Sequence, residues 1–245
     1  MRFKEKLLQI LFIFFPALQN KVRNDLKKII KGFKSSPKIA DIGGRKSPYT
    51  VGLKASVTIV DKPPSTNVQK KLNLGIDNQR LVEIKTQRSN IDDIILCDIT
   101  SDISQVINEK FDIIVAVEVI EHIENHEEML KNIYSIMKKD AILYLTTPNG
   151  DYIKNEPPNY NPDHIKHYKR TELYELLIKY FSNVEVNYGI KMGKNWRNSG
   201  RSWSISSPLK LMHTFYSARL NQFESIGVEN TKHRTAHLFA TARKV

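Results

Sequence analysis

The chain has 245 residues, of which 40% are hydrophobic and 26% charged, a balance typical of a folded domain rather than a disordered segment. Its single cysteine, Cys97, excludes an internal disulfide framework and any multi-cysteine zinc site, and fits a reducing cytoplasm. The formal net charge of +12 favours an anionic partner: a nucleic acid, a membrane surface or a phosphorylated substrate.

Residues 1–35 concentrate positive charge around a short apolar run. Nine Lys or Arg residues and two acidic residues give this segment a net charge of +7. The apolar run, residues 7–18, is shorter than the roughly 20 residues that a membrane-spanning helix needs. Three interpretations stay open: a secretory signal, a helix packed on the following domain, and an amphipathic element on an anionic membrane that inserts three aromatic rings, Phe12, Phe14 and Phe15.

Strand-like and helix-like segments alternate after this segment. Short apolar or β-branched runs predict strands at 38–41, 56–61, 91–98, 111–119, 141–148, 183–190 and 236–244. Amphipathic patterns predict helices at 126–140, with Lys138 and Lys139 in its last turn, at 170–181, with Thr171 as N-cap, and at 208–223. Strands that alternate with helices predict an α/β fold with a mostly parallel sheet and helices on both of its faces.

Two long connections interrupt the pattern, at residues 62–90 and 190–232. Long connections in an α/β domain usually carry function. We therefore predict that both segments select the substrate, with 190–232 as an insertion on the substrate side. The predicted organisation is a helical extension over 1–35 followed by one domain over 36–245.

Three of the predicted strands end in an aspartate: Asp41, Asp61 and Asp98. Ligands of open parallel sheets bind at the carboxyl ends of the strands. A carboxylate after the second strand is well placed to accept hydrogen bonds from a ribose diol, and one after the third from an adenine amine. Each acid alone is also explained as a cap for the next element, but three in succession favour a ligand site. Gly43 and Gly44 let the first loop approach that ligand closely.

Six motifs in order over about residues 36–185 carry a family resemblance: IADIGG, TIVD, LCDIT, FDIIVAVEVIEHIENHEEML, LYLTTPN and DHIKHYKRTELYELL. Together they resemble the class I S-adenosylmethionine-dependent methyltransferases, in particular the small-molecule branch called type 11. EVIEHI at 118–123 followed by TTPN at 146–149 is the most specific part. The resemblance implies a Rossmann-like, doubly wound, seven-stranded sheet with an antiparallel last strand, and S-adenosyl-L-methionine as cofactor.

The resemblance also implies which residues contact the cofactor. Asp61 would hold the ribose hydroxyls and Asp98 the adenine amine, while Ile99 packs on the adenine ring. Glu118 would line the methionine end, although a solvated acid at a helix start explains it equally well. The first loop would supply the remaining three cofactor-binding residues, Asp41, Gly43 and Gly44.

The first loop departs from the family's glycine pattern, because Arg45 and Ser47 stand where glycines are expected. S-adenosylmethionine carries no phosphate, so one close backbone approach at Gly43 and Gly44 suffices, whereas a nicotinamide cofactor would need a pyrophosphate cradle. Ser47 and Pro48 are interpreted as an N-cap and first residue of a helix. The same departure is compatible with weakened or lost cofactor binding.

Histidines after the fourth and fifth predicted strands are the candidates for catalysis. The sulfonium is already activated, so the enzyme must align the acceptor and, for a hydroxyl, help remove its proton. His122, His164 and Tyr168 are predicted to do this, with a structural role in the loop or lid as the alternative for each. No metal site is predicted, because no further ligand cluster accompanies the pair His164 and His167.

Three functions stay open. The first is O- or N-methyl transfer to a small molecule or glycan, such as a lipid-linked saccharide, by a cytoplasmic protein peripheral to the inner face of the membrane. The second is RNA-directed methylation or nucleic-acid binding, which the net charge favours; TTPN, however, is not the Asn-Pro-Pro-aromatic signature of base-amine methylation, and no RNA-recognition sheet is evident. The third is a catalytically inactive, methyltransferase-like protein.

Overall fold

Seven strands form a single sheet in the computed structural model, which describes residues 3–63, 76, 78–157, 160–200 and 207–245. They are β1 (Lys38–Ile42), β2 (Ser56–Asp61), β3 (Ile91–Leu96), β4 (Phe111–Val117), β5 (Met137–Pro148), β6 (Ser182–Lys191) and β7 (Thr235–Arg243). Their order is β3-β2-β1-β4-β5-β7-β6. The first five strands run parallel, and β7 is antiparallel to both β5 and β6. The predicted fold class, including the antiparallel last strand, is confirmed.

Helices surround this sheet. They are α1 (Phe3–Leu11), α2 (Ala17–Lys31), α3 (Asn78–Gln87), α4 (His126–Ile136), α5 (Arg170–Leu177), α6 (Lys194–Ser199) and α7 (Pro208–Glu224). Short 3-10 turns occupy Phe12–Phe14, Gly44–Lys46 and Ile120–His122. Within the described ranges, none of these helices has the length and apolar character needed to cross a membrane.

Each face of the sheet is covered by its own hydrophobic core. Alternate side chains of β4 point to opposite faces, so Ile114 and Ala116 join one core and Ile113 and Val115 the other. The first core includes apolar residues of α4 and α5, and the second includes residues of α2 and α3. Both faces are therefore buried, as the continuous apolar character of β4 requires.

Predicted helix boundaries are wrong at several positions. The helix predicted over 126–140 ends at Ile136, because Met137 already pairs with Phe111 as the start of β5. Lys138 consequently lies on a strand, where its ammonium group binds the Asp112 carboxylate at 2.8 Å. Helix α5 begins after Lys169 rather than at Thr171, since the Glu172 side chain accepts a hydrogen bond from the Lys169 backbone N–H.

No helix starts at Ser47 and Pro48 either. The 3-10 turn Gly44–Lys46 precedes them, and Ser47 is extended at its end. Its hydroxyl donates to the Asp41 carboxylate at 3.2 Å, so Ser47 holds the loop against the sheet instead of capping a helix.

The N-terminal segment packs on the domain, as one of the three interpretations proposes. Val22 and Leu26 of α2 are fully buried in the same core as Val57 of β2. Helix α2 thus packs into a core of the sheet, while the division of the chain at residue 35 stays a prediction.

The predicted insertion of three phenylalanines into a membrane is also wrong for Phe12. Its ring is buried and stacks on Phe15 with the ring centroids 4.4 Å apart. Phe14 stacks on Phe215 of α7 at 5.0 Å. These rings connect the N-terminal segment to the rest of the molecule.

A buried arginine joins α2 to the loop after β1. Arg23 is 2% exposed, and its guanidinium donates to the backbone oxygens of Tyr49 at 3.0 Å and Val51 at 2.8 Å. Burial lowers the pKa of Arg23 to about 10. The guanidinium also lies over the Phe12 ring, 4.7 Å from its centroid. Arg23 therefore couples the N-terminal helices to the loop that follows the first strand.

We expect Arg23→Met to lower the free energy of unfolding by about 2–5 kcal/mol, because two carbonyl oxygens lose their donor inside the protein. The matched control is Lys28→Met, which removes an exposed charge from the same helix and should change stability by less than about 0.5 kcal/mol. Urea denaturation measures both values. Equal effects of the two substitutions would contradict the role assigned to Arg23.

Candidate active site

A cavity of about 410 Å³ opens where the chain switches direction between β1 and β4. Ligands of doubly wound sheets bind at this position, outside the carboxyl ends of the strands. Residues that follow four different strands line the cavity, among them Gly43, Asp61, Asp98, Ile99, Glu118 and His122. Five of the seven predicted cofactor-binding residues thus meet in one place, together with one predicted catalytic histidine.

The loop after β1 approaches this cavity with its backbone. Gly43 has a left-handed conformation (φ 70°), and its N–H donates to the Val60 carbonyl at 2.8 Å. A Cβ atom at Gly43 would lie 3.0 Å from the Val119 side chain, and one at Gly44 would lie 2.5 Å from Asp41 Cγ. Both positions require glycine: Gly43 for its backbone conformation and Gly44 for its close contact with Asp41.

Asp41 supports the loop from beneath and does not line the cavity. Its carboxyl group is fully buried and accepts hydrogen bonds from the hydroxyls of Ser47 at 3.2 Å and Thr50 at 2.8 Å. Burial raises the pKa of Asp41 to about 6, against the opposing effect of the nearby Arg88. Asp41 and Gly44 are not among the residues that line the cavity. Both shape the loop from its buried side, and their contact with the cofactor stays a prediction.

Asp61 lies at the end of β2 and forms an ion pair that the sequence interpretation missed. The Arg45 guanidinium approaches its carboxylate oxygens at 3.2 and 3.4 Å. The Lys62 backbone N–H donates to the same carboxylate at 2.9 Å. The sequence did carry a signal for this ion pair. Arg45 is a basic residue four positions after Asp41, where the family has a glycine. A carboxylate offers about four acceptor positions, so a ribose diol would share Asp61 with Arg45.

Asp98 and Ile99 follow β3 on the other side of the cavity. Asp98 accepts from the Thr100 backbone N–H at 2.9 Å and from its hydroxyl at 2.7 Å. Partial burial by itself raises the pKa of Asp98, but these hydrogen bonds outweigh it and hold the pKa below its ordinary value. Ile99 is buried and offers an apolar wall. This pairing of an exposed carboxylate with an apolar wall suits a flat base that carries an exocyclic amine.

Glu118 follows β4 and has a positive φ of 54°, which is rare for a residue with a side chain. The Thr146 hydroxyl donates to its carboxylate at 2.9 Å, and His237 Nδ1 lies 3.1 Å away. Burial raises the pKa of Glu118, but the facing histidine and the hydrogen bonds prevail and lower it. The group is therefore held as a carboxylate at the cavity wall.

His237 is a second residue that the sequence interpretation missed. It is the third residue of the antiparallel strand β7 and pairs with Pro148 at the carboxyl end of β5. An antiparallel strand starts at the edge where its parallel neighbours end, which places His237 beside the cavity. The signal in the sequence was a titratable side chain within the mostly apolar run at 236–240.

His122 and His164 lie side by side, with ring centroids 4.7 Å apart and nearly perpendicular planes. His122 lines the cavity and His164 lies behind it. Glu121 is adjacent and almost fully buried at 1% exposure. Its backbone oxygen accepts from Ile165 N–H at 2.7 Å, which draws the loop that carries His164 against the turn after β4. This contact brings the two predicted histidines together.

Tyr168 does not lie at the cavity. It is 1% exposed and belongs to the hydrophobic core between the sheet and α4, where its ring meets His126 edge-on at 5.9 Å. Burial raises the pKa of Tyr168. The predicted catalytic role of Tyr168 is corrected to a packing role, because its hydroxyl is enclosed by the core rather than offered to a substrate.

The two connections predicted to select the substrate are only partly described. Residues 64–75, 77 and 201–206 lie outside the described residues, so the prediction for them stays a prediction. Lys62 and Pro63 line the cavity, whereas the described part of 190–232 contributes no lining residue to it. Helix α7 instead packs against α2 and the Phe12–Phe14 turn.

Comparisons with known proteins agree with this arrangement. A family model described as a methyltransferase domain matches residues 18–187, which is more than half of the chain. The matched range includes nearly all of α2. Curated relatives include the ubiquinone biosynthesis O-methyltransferases of Rickettsia bellii, 28% identical over 136 residues, and Rickettsia typhi, 25% identical over 127 residues. Each match covers 46% of this chain and 56% or 50% of the relative. The chain thus spans about half the length of these relatives.

Two solved structures show the same fold at 16% identity. One is an S-adenosylmethionine-dependent methyltransferase from Archaeoglobus fulgidus, with a TM-score of 0.57 and coverage of 92% of this chain and 94% of that one. The other is phosphoethanolamine N-methyltransferase 2 from Haemonchus contortus, with a TM-score of 0.59 and coverage of 96% and 55%. With the family match and the cavity at the switch point, the chain belongs to the methyltransferase-domain family, among the class I S-adenosylmethionine-dependent methyltransferases.

Proposed function

We propose that this chain transfers the methyl group of S-adenosylmethionine to a hydroxyl group of a small-molecule acceptor. The observation that carries the proposal is the cavity at the switch point, where Gly43 presents backbone and three strands supply Asp61, Asp98 and Glu118. This set offers separate acceptors for a ribose diol, an adenine amine and a cationic amino group. The loop lacks a phosphate cradle, which agrees with a nucleoside cofactor that has no phosphate.

Each carboxylate has a proposed part of the cofactor. Asp61 accepts from the ribose hydroxyls and Asp98 from the adenine amine, with Ile99 against the ring. Glu118 faces the amino group of the methionine portion, where its negative charge is favourable. The transfer itself forms a bond between the acceptor oxygen and the methyl carbon and breaks the carbon–sulfur bond, whose electron pair stays on sulfur. The proton of the hydroxyl must leave, and His122, a titratable side chain in the lining after β4, is the proposed acceptor for it.

The choice of a hydroxyl acceptor is supported by the relatives, which are named as O-methyltransferases. A glycan or lipid-linked saccharide stays a prediction, since no described contact selects one. The net charge of +12 keeps RNA as the alternative acceptor to be tested.

We expect S-adenosylhomocysteine to bind, and Asp61→Ala and Asp98→Ala each to weaken binding by about 1–3 kcal/mol through loss of charged hydrogen bonds. The control is Asp93→Ala, which removes an exposed carboxylate from β3 outside the cavity and should leave affinity unchanged. Isothermal titration calorimetry measures all four proteins. Unchanged affinity in both cavity variants would refute the assigned cofactor site.

We expect S-adenosylhomocysteine to be released when the protein meets S-adenosylmethionine and a hydroxylated small molecule. The measurement compares panels of phenols, catechols, saccharides, amines and a short RNA, with product identified by mass spectrometry. Methyl transfer to oxygen of a small molecule supports the proposal. Transfer to RNA alone, or to nitrogen alone, would overturn the acceptor assignment while leaving the cofactor site intact.

We also propose that an exposed apolar face binds an anionic membrane. Leu209, Met212 and Tyr216 of α7 are 80%, 67% and 64% exposed and recur at helical spacing on one side. In the N-terminal segment, Ile10 and Ile13 are also exposed, at 68% and 49%. The Gln222 side chain of α7 donates to the Ile13 backbone oxygen at 3.0 Å, which joins this segment to α7.

Basic residues accompany this apolar face. Lys6 and Lys210 are exposed on the two contributing helices, and lysines near such a surface favour anionic headgroups.

We expect the protein to float with vesicles that contain phosphatidylglycerol and to remain in solution with vesicles of phosphatidylcholine alone. Met212→Glu should reduce flotation, because it places a negative charge in the apolar face. Val82→Glu is the matched control, since Val82 is also exposed, at 59%, but lies on α3. Equal flotation of the two variants, or no dependence on anionic lipid, would contradict membrane binding by this face.

A further inference from the structure

Three side chains beside the cavity bring metal-ligating atoms together. Glu121, His122 and His164 each offer one such atom, and the three atoms lie within 4.8 Å of one another. Glu121 and His122 end the 3-10 turn after β4, and His164 belongs to the segment before α5. A site that joins two distant segments of the chain is not explained by local backbone geometry.

Hydrogen bonds to the other ring nitrogen fix the tautomer of neutral His122. Its Nδ1 lies 2.7 Å from the Asp163 carbonyl oxygen, which can only accept. Nδ1 therefore carries the proton, and Nε2 keeps its lone pair. This Nε2 lies 4.0 Å from Glu121 Oε1, which places the lone pair of one ligand next to the oxygen of another.

Hydrogen bonds through His167 fix the tautomer of neutral His164 in the same way. His167 Nδ1 lies 2.9 Å from the Ile153 carbonyl oxygen, so it donates and leaves His167 Nε2 as an acceptor. That acceptor lies 2.7 Å from His164 Nδ1, which must then donate. In the neutral rings, the lone pair of His164 is thus on Nε2. Metal-binding histidines are held by this type of second hydrogen bond.

Glu121 supplies an independent observation. Its side chain is 1% exposed, and its Oε2 accepts from the Thr147 hydroxyl at 3.0 Å. Its Oε1 is buried and has no hydrogen-bond partner among the residues that the structure describes. A buried carboxylate oxygen without a partner is costly, and a cation between Oε1 and the two imidazoles would satisfy it.

We propose that Glu121, His122 and His164 bind one divalent transition-metal ion at the wall of the cavity. Two imidazole nitrogens and one carboxylate favour zinc, manganese, iron(II) or cobalt over magnesium and calcium, which prefer oxygen ligands. Bonds of roughly 2.1 Å place neighbouring ligands of a tetrahedral ion about 3.4 Å apart, so side-chain shifts of roughly an ångström bring the three atoms, now within 4.8 Å of one another, onto one ion. Three protein ligands leave positions open for a substrate or water.

The bound ion has a chemical role that rests on the proposed function. Coordination to the ion lowers the pKa of the acceptor hydroxyl, so its proton passes to solvent and the oxygen stays on the metal. The oxygen lone pair then forms the bond to the methyl carbon, and the carbon–sulfur electron pair stays on sulfur. In this arrangement His122 acts as a ligand rather than as the general base.

The test uses the full chain, stripped of metal with a chelator and dialysed against zinc, manganese, cobalt or magnesium. We expect about one transition-metal ion per chain by mass spectrometry of the metal content, and a visible ligand-field absorption band when cobalt is bound. His122→Ala, His164→Ala and Glu121→Gln should each weaken binding by about tenfold or more. His213→Ala, which removes an exposed histidine of α7, should not change it.

His167→Ala tests the relay, because His167 is a positioning residue that does not belong to the ligand set. We expect it to weaken cobalt binding about tenfold and to shift the absorption band, without changing affinity for S-adenosylhomocysteine. Thermal unfolding of every variant shows whether it is folded.

Stoichiometric metal that is retained in all ligand variants, or no metal in the folded wild-type chain, would overturn the site. Metal binding without methyl transfer would leave the site standing and refute the proposed function instead.

Discussion

The arrangement of the cofactor side depends on the buried carboxyl group of Asp41. Hydroxyl groups of Ser47 and Thr50 fix the loop after β1 to this carboxyl group. Gly44 passes so close above it that a Cβ atom would lie 2.5 Å from Asp41 Cγ. The loop is held down on one side, and Gly43 turns its backbone toward the cavity on the other. The sequence predicts that Asp41 contacts the cofactor. In the structure its buried carboxyl group holds the loop whose backbone lines the cavity.

Charge balance explains how the cavity keeps three acids in its lining. Asp61, Asp98 and Glu118 would repel one another if each were left uncompensated. Arg45 pairs with Asp61, and His237 lies against Glu118. Arg45 replaces a glycine of the family pattern, so the departure that weakens the resemblance also supplies a cation to the cavity.

Local patterning was sufficient to predict the strands, their acidic ends and the fold class, because hydrophobic periodicity and strand-end chemistry are properties of short segments. The errors came from contacts between distant segments. Tyr168 looks like a lid residue in sequence, yet it is enclosed by the core against α4. Lys138 fits a helix end, yet Met137 beside it already pairs with Phe111. His237 was missed because its position depends on β7 running against β5.

The two halves of the site are assembled by different means, which explains why one was easier to predict. The cofactor side is built from strand ends that parallel pairing brings to one edge. The proposed acceptor side needs His164 to meet a turn more than 40 residues earlier. Main-chain hydrogen bonds from Ile165 and Lys166 to the Glu121 carbonyl oxygen bring the two segments together. Glu121 thus has two roles. Its carbonyl oxygen binds the segment that carries His164, and its buried carboxylate lies near the His164 ring. A substitution of its side chain leaves the first interaction in place, so the two roles are separable by experiment.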